Sequence, residues 1–266
     1  MNDRISIKVC DHVADVRLIR GDKMNALDSK MFSAIEEAGK ALRDNSDVRV
    51  VVLSGEGKGF CAGLDMANFA SMADGAVERE ESKLALRTHG AANGPQHAAW
   101  MWRELRVPVI AALHGVALGG GFQVAMGADI RYAAPSTRMS IMEIKWGLVP
   151  DMAGTQLMRH FARDDIIREL TYTGRIFSAE EAQQFGFVTR VCEDPLEEAL
   201  KTARNIATRN PDAISRGKQL LNEANYLQAD EGLLLESKLQ DEIIGKPNQI
   251  EAVMAEMEKR PAIFNR

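Results

Sequence analysis

Two carboxylates, Glu143 and Asp151, stand in the sequence as residues that could move a proton. They flank a loop that contains Gly147 and Pro150. A carboxylate held beside an acidic carbon can remove a proton from that carbon and later return it. Taken singly, Glu143 is more typical of a surface or salt-bridged residue, and Asp151 fits a loop turn after Pro150 equally well.

Three consecutive glycines, Gly119, Gly120 and Gly121, follow a buried strand predicted over Val109–Leu113. The apolar run after them has a helical period, so the pattern predicts a strand that enters a helix through a glycine hinge. The first N–H groups of a helix lack intrahelical partners and favour negative charge. Such a hinge can stabilise an oxyanion, although tight packing of strand against helix would also explain the glycines.

A second glycine loop, FCAGLD over residues 60–65, follows a strand predicted over residues 48–53. Two N–H donors from separate loops are what a thioester enolate needs, because negative charge gathers on the carbonyl oxygen when the neighbouring carbon loses a proton. Each donor typically lowers such a barrier by roughly 3–4 kcal/mol. The two loops and a carboxylate would together form an enolate site.

The elements that must position these loops indicate an α/β core. Apolar patterns predict a strand pair that meets near residues 11–14, a helix over residues 28–44 capped by Asp28, strands over 129–133, 138–141 and 187–191, and helices over 155–161, 164–173 and 178–186. The segment over 67–104 is a candidate wall or lid of a pocket, or an ordinary surface insertion. From Pro195 onward nearly everything is helical in period, so we predict an α/β body over residues 1–194 and a helical oligomerisation region over residues 195–266.

Composition narrows the class of protein. The 266 residues include 33 Lys and Arg against 38 Asp and Glu, a formal charge of -5 without a long basic run, which disfavours nucleic acid as a partner. No signal peptide or membrane-spanning run is apparent. Cys10, Cys61 and Cys192 lie far apart with no CxxC and no histidine cluster, so neither a disulfide framework nor a metal site is indicated. We expect a cytoplasmic enzyme acting on a small molecule.

Several longer segments resemble a known family. FCAGLD, HGVALGGGFQVAMGADIRYA and EIKWGLVPDMAGTQ, in this order and at these separations, resemble the signature regions of the enoyl-CoA hydratase/isomerase family, the crotonases. RGDKMNALD is similar to its early Asn-Ala-Leu motif, and TGRIFSAEEAQQFGFVTRV to the segment after its third motif. The resemblance implies an α/β spiral of ββα units with a C-terminal helical region, a homotrimer or dimer of trimers, and an acyl-CoA thioester as substrate, with no separate cofactor.

The resemblance also implies roles for individual residues. The oxyanion hole would consist of the Leu64 and Gly120 N–H groups. The CoA moiety would lie along six residues, with Lys259 of a neighbouring subunit as a candidate partner for its phosphate. These six residues are Lys23, Met24, Ala26, Ala62, Asp65 and Met66.

Departures from the family pattern bear on the reaction. Hydratases of the family carry two glutamates, whereas this chain has Gln123 and Glu143 at those positions, and glutamine can hold water but cannot take its proton. Losing a general base usually costs about 10²–10⁴ in rate. The family's dienoyl-CoA isomerases carry an aspartate matching Asp151, but also a third acid where this chain has Gln123. We therefore expect a double-bond isomerase, with Glu143 as principal proton carrier, Asp151 as second acid or base, and Gln123 orienting water or substrate.

Three alternatives stay open from the sequence. The first is a 2-enoyl-CoA hydratase that uses Glu143 alone or with Asp151. The second is another enolate reaction, such as decarboxylation or thioester hydrolysis. The third is a crotonase relative of low activity that binds RNA or another ligand. His114, beside the glycines, is interpreted as a packing or backbone-bonding residue, and no GxSxG nucleophile elbow occurs.

Overall fold

The computed structural model describes residues 3–68 and 83–265, and their strands form two sheets. The strands are β1 (Ile5–Cys10), β2 (Val13–Leu18), β3 (Val50–Gly55), β4 (Val109–Leu113), β5 (Val116–Leu118), β6 (Ile130–Ala133), β7 (Arg138–Ser140), β8 (Phe177–Ser178) and β9 (Arg190–Val191). The larger sheet has the order β1-β2-β3-β4-β6-β9, and the smaller one has the order β5-β7-β8. In the larger sheet β1 and β2 are antiparallel and the other pairs are parallel.

The predicted helices over residues 28–44, 164–173 and 178–186 are present within one residue of their expected bounds. The helices of the structure are α1 (Ser29–Asp44), α2 (Gly94–Glu104), α3 (Gly120–Met126), α4 (Gly154–Met158), α5 (Asp164–Thr173), α6 (Ala179–Phe185), α7 (Pro195–Ala207), α8 (Pro211–Ala224), α9 (Ala229–Asp241) and α10 (Pro247–Met257). Short 3-10 helices cover Gly21–Lys23, Lys83–Ala85 and Glu143–Trp146. The side chain of Asp28 caps α1, and Ser178 with Glu181 forms the predicted capping box of α6.

From β4 to β7, successive strands alternate between the two sheets, in agreement with the expected spiral of ββα units. Strand β4 lies in the large sheet and β5 in the small one, before α3; β6 and β7 repeat this step. In the small sheet β5 and β7 are parallel, and β7 and β8 are antiparallel. The glycine triplet therefore begins where the chain leaves the small sheet and enters α3.

Four details of the sequence prediction were wrong. The glycine hinge follows β5, a three-residue strand between Gly115 and Gly119, and does not follow β4 directly. Strand β8 was missed, and of residues 187–191 only Arg190–Val191 pair as a strand. Helix α4 ends at Met158, before the expected end at residue 161. Strands of two or three residues are too short to show a recognisable alternation, which explains why β5 and β8 were missed.

The interior contains two apolar clusters. In the larger cluster, Phe122 of α3 packs edge-on against Phe177 and Phe187, with ring centroids 5.6 and 5.4 Å apart. In the smaller one, alanines along α7 lie against Val52 and Ile110 of the large sheet, and their small side chains permit close approach of the helix. Helix α7 thus shares a core with the large sheet. Residue 195 marks the start of a run of consecutive helices, and its status as a domain boundary stays a prediction.

The last three helices bury only part of their apolar surface. The Lys218 ammonium of α8 is buried, 2.8 Å from a carboxylate oxygen of Asp129, and donates to the carbonyls of Trp102 and Val107, so α8 is anchored to the body. Leucine, isoleucine, valine and methionine side chains on α8–α10 remain exposed: Leu221, Leu233, Leu234, Ile250, Val253 and Met257. Within the described ranges no helix is both long and apolar enough to cross a membrane.

Candidate active site

Gln123 and Glu143 form a buried hydrogen-bonded pair. Gln123 lies on α3 and is 1% exposed, and Glu143 begins the 3-10 helix after β7. The Gln123 Nε2 donates to Glu143 Oε1 at 2.6 Å. The Gln123 Oε1 accepts from the amides of Met152 and Gly154, both at 2.9 Å. Gln123 therefore connects the glutamate to the loop that precedes α4.

The surroundings of Glu143 suit a proton carrier. The residue is 9% exposed, and among the described residues its Oε2 has no hydrogen-bond partner although it is buried. Burial raises the pKa of Glu143, and the negative charge of Asp151 adds a smaller increase. A carboxyl group with one unpaired oxygen and a pKa moved toward neutrality is poised to exchange a proton with a bound substrate.

Asp151 lies on the same loop, two residues after the exposed Val149. Its side chain is exposed, yet neighbouring protein atoms remove enough water from the carboxyl group to raise its pKa. Its charge also acts on Glu143. Asp151 is therefore the more exposed of the two predicted carboxylates, and the two interact electrostatically.

The two predicted oxyanion loops run side by side. The Cys61 amide donates to the Val116 carbonyl, and the Leu118 amide donates to the Cys61 carbonyl, both at 3.0 Å. Gly63 has a φ of +87°, and a Cβ at this position would lie 2.6 Å from the Leu118 oxygen and 3.6 Å from the Gly120 nitrogen. Glycine is needed there, because the loop approaches the end of β5 too closely for a side chain.

The N–H groups of Leu64 and Gly120 have no protein acceptor among the described residues. Gly120 is the first residue of α3, so its N–H has no partner inside the helix. Within the described ranges, neither amide donates a hydrogen bond to another protein group. A Cβ on Gly120 would lie 2.7 Å from Met152 Sδ and 3.0 Å from Leu27 Cδ1, so glycine permits close packing of these two side chains at the start of α3.

The residues predicted to bind CoA come together around one backbone contact. The Ala62 amide donates to the Met24 carbonyl at 2.9 Å, which joins the second loop to the segment after Gly21–Lys23. Met24 and Met66 are 41% and 61% exposed, and Lys23 is also exposed. An exposed cation and two exposed thioethers therefore line the outer side of these loops.

Asp65 and Ala26 have protein partners already. The Asp65 carboxylate lies 2.5 Å from the Arg20 guanidinium, which also donates to the Ala26 carbonyl at 3.1 Å. The Ala67 amide and then Arg20 lower the pKa of Asp65, so it stays ionised. Sequence reasoning missed Arg20, although it opens the RGDKMNALD segment. Arg20 holds this segment against the second loop.

Two other sequence candidates lie elsewhere. Lys259 is exposed in the turn after α10, where its amide donates to the Glu256 carbonyl, and its role toward a neighbouring subunit stays a prediction. His114 Nε2 lies 3.0 Å from the Gly57 carbonyl, which agrees with a backbone-bonding role. The Met152 and Gly154 amides, which fix Gln123, were missed because backbone groups have no sequence signature.

Asp151→Asn is expected to shift the acid limb of the pH–rate profile to lower pH. A general base loses activity as the pH falls through its pKa, and this substitution removes a charge that raises the pKa of Glu143. The measurement is kcat/KM against pH for both proteins. Glu236→Gln, an exposed site on α9, is the matched control. An unchanged acid limb in Asp151→Asn would show that the two carboxylates do not interact.

Comparison with known proteins gives one consistent result. A family model described as enoyl-CoA hydratase/isomerase matches residues 9–266. The mitochondrial methylglutaconyl-CoA hydratase of Mus musculus is 31% identical, over 89% of this chain and 74% of that protein. The mitochondrial Delta(3,5)-Delta(2,4)-dienoyl-CoA isomerase of Mus musculus is 30% identical, over 94% and 77%. The crystal structure of an enoyl-CoA hydratase from Bacillus anthracis is 29% identical with a TM-score of 0.88, over 98% of each chain.

Proposed function

Because the chain belongs to the enoyl-CoA hydratase/isomerase family, we propose that it shifts a carbon–carbon double bond of an enoyl- or dienoyl-CoA thioester. The observation that supports this most is the Gln123–Glu143 pair. By the resemblance to the family pattern, Gln123 stands where hydratases of the family have a glutamate. The buried site therefore has one carboxylate where activation of water would use two.

The proposed reaction uses one enolate. Glu143 removes a proton from a carbon next to the double bond system, and the electron pair moves toward the thioester oxygen. The Leu64 and Gly120 N–H groups stabilise the oxygen as it gains charge. Glu143 then returns the proton to another carbon of the chain, or Asp151 delivers one further along a dienoyl chain. The acyl-CoA keeps its composition, and only the double bond moves.

Gln123 positions the base in this proposal. Its side-chain oxygen accepts two backbone N–H bonds, and its nitrogen donates to Glu143. Since these contacts occupy the amide within the protein, we assign it the placement of Glu143 and of the loop before α4, rather than the orientation of water. Lys23 and Met24 on one segment, and Ala62 and Met66 on the other, would contact the CoA moiety.

A second candidate function is hydration of a 2-enoyl-CoA by Glu143 together with Asp151. The similarity to named hydratases and the exposed position of Asp151 near Glu143 favour it. In that reaction Asp151 would take the part of the missing glutamate, and water would add across the double bond.

The exposed apolar residues of α8–α10 support assembly into a homotrimer or dimer of trimers, which we include in the proposal. A cytoplasmic location and the absence of a nucleic-acid partner stay predictions from the sequence.

The test is a comparison of three substrates with the purified enzyme: a 3-enoyl-CoA, a 3,5-dienoyl-CoA and a 2-enoyl-CoA. We expect isomerisation of the first or second and little hydration of the third. The variant Gln123→Glu should raise hydration and lower isomerisation. It places a second carboxyl group where Gln123 Nε2 now lies 2.6 Å from Glu143 Oε1, and the two groups would share a proton. Gln123→Met, which removes the hydrogen bonds and adds no charge, is the control.

Fast hydration by the unaltered enzyme with no isomerisation would overturn the proposal in favour of the second candidate. If Gln123→Glu then leaves hydration unchanged, Asp151 rather than position 123 supplies the second carboxylate.

A further inference from the structure

Three side chains outside the candidate active site bring their ligand atoms together. These are Glu36, His89 and His97, and one ligand atom from each lies within 4.8 Å of the others. His97 Nδ1 is 2.6 Å from Glu36 Oε2, and His89 Nε2 is 3.7 Å from the same oxygen. We propose that these residues bind a zinc ion that clamps together three segments of the fold.

The three residues come from separate elements. Glu36 lies on α1, His97 lies on the second turn of α2, and His89 pairs with Ala92 in the tight turn that leads into α2. A capping box at Asn93 fixes the start of α2. The elements are thus held in place by the fold, which brings the ligands close without help from an ion.

Both imidazoles are oriented by a second partner. Thr88 Oγ1 lies 2.8 Å from His89 Nδ1, and Glu104 Oε2 lies 3.3 Å from His97 Nε2. Each ring therefore has one nitrogen facing an outer oxygen and the other facing Glu36. Histidines that bind metals characteristically donate their second N–H to a hydroxyl, carbonyl or carboxylate in this way, which fixes the tautomer and the direction of the lone pair.

The chemical types of the three ligand atoms favour zinc over other metal ions. Two imidazole nitrogens and one carboxylate oxygen leave a fourth position of a tetrahedron for water, an arrangement that zinc accepts readily. Calcium and magnesium prefer oxygen ligands, and Cu(I) prefers thiolates or thioethers, so these ions fit less well. The rings of His89 and His97 stack with centroids 4.8 Å apart, so the site is compact.

The ion would replace one contact of the Glu36 carboxylate. His97 Nδ1 lies 2.6 Å from Glu36 Oε2, and Lys40 Nζ lies 3.4 Å from Glu36 Oε1. Zinc would lie between Nδ1 and Oε2 and supply positive charge to the carboxylate, while the contacts of Glu36 with Lys40 and of His97 with Glu104 persist.

Sequence patterns gave no sign of this site and predicted no metal. His97 follows Glu36 by 61 residues, and no short ligand motif connects them. The packing of α1 against α2 brings these residues together, and this packing cannot be inferred from a short sequence motif. The clamp does not involve any residue of the proposed reaction, so it can be tested independently of activity.

The test measures zinc binding by full-length protein that carries no affinity tag. After addition of zinc sulfate and exhaustive dialysis, we expect one zinc per chain by elemental analysis and a higher Tm than for the metal-free protein. Cobalt(II) in place of zinc should give the visible absorption of a tetrahedral site. His89→Ala, a partly exposed position, should weaken binding at least about 100-fold, since loss of an outer partner alone typically costs 10–100-fold.

Glu36→Gln is the second variant, because it keeps the side-chain shape and should also abolish the retained zinc. His12→Asn is the matched control: His12 lies in the β1–β2 turn with a φ of +66°, which asparagine tolerates. Its zinc content should equal that of the unaltered protein. Failure of the unaltered protein to retain zinc, or equal retention by His89→Ala and Glu36→Gln, would overturn the proposal and leave an ion-paired cluster alone.

Discussion

Replacing Glu143 by glutamine is expected to lower kcat by about 10²–10⁴, the usual contribution of a general acid–base group. Glutamine can still accept the hydrogen bond from Gln123 Nε2, so the loop before α4 should keep its conformation. It cannot accept a proton from carbon. The measurement is kcat and KM on the substrate preferred in the three-substrate comparison, and we expect KM to change little.

The same variant should unfold at a higher temperature than the unaltered protein at neutral pH. Burial raises the pKa of Glu143, so this group stabilises the fold below its unfolded pKa, and that contribution is lost as the pH rises through the folded pKa. Glutamine has no charge to bury. Glu236→Gln should alter neither kcat nor Tm. A drop in kcat below tenfold in a stable Glu143→Gln enzyme would exclude Glu143 as the proton carrier.

Replacing Gly63 by alanine is expected to lower kcat by about 10²–10³, the effect of losing one oxyanion donor. The φ of +87° disfavours any side chain, and a Cβ would lie 2.6 Å from the Leu118 oxygen. The loop must therefore move away from β5. This movement would separate the Leu64 N–H from the Gly120 N–H, and only one of them could then reach the thioester oxygen.

Gly245→Ala is the control variant that distinguishes the effect of backbone strain from the effect of the steric clash expected in Gly63→Ala. Gly245 has a φ of +73°, and a Cβ there would have no atom within 4 Å. A strained residue costs about 1–3 kcal/mol, so both variants should lose stability, but only Gly63→Ala should lose kcat. The two measurements are kcat and Tm for each variant. A folded Gly63→Ala enzyme that retains most of its kcat would place the oxyanion hole elsewhere.

Much of the framework was predictable because its elements are long or capped. The N-cap residues Asp28 and Ser178 predict the starts of α1 and α6, because their side chains accept hydrogen bonds from backbone N–H groups of the first turn. The predicted bounds of α5 agree with the structure. Strands β3 and β4 of the large sheet have the continuous apolar runs that are typical of a buried parallel strand. Strands β5 and β8 were not predictable, since pairing in the small sheet defines them and their own two or three residues do not.

The candidate site was predictable as a set of residues but not as a set of contacts. Gln123 and Glu143 were both identified, yet their hydrogen bond joins positions 20 residues apart, and only the fold brings them together. Asn93-Gly94-Pro95 has the composition of a turn, whereas in the structure Asn93 caps α2 and Pro95 occupies its first turn. The same residue types favour turns and helix starts, so local sequence could not distinguish the two.

The most direct test of the enolate site is a crystal structure of the Glu143→Gln enzyme with its bound enoyl-CoA. The account predicts a thioester oxygen that accepts hydrogen bonds from both the Leu64 and Gly120 nitrogens at about 2.7–3.1 Å. It also predicts that the substituted side chain contacts the carbon from which the proton is removed. A thioester oxygen bound away from either amide, or a position 143 side chain remote from the acyl chain, would contradict it.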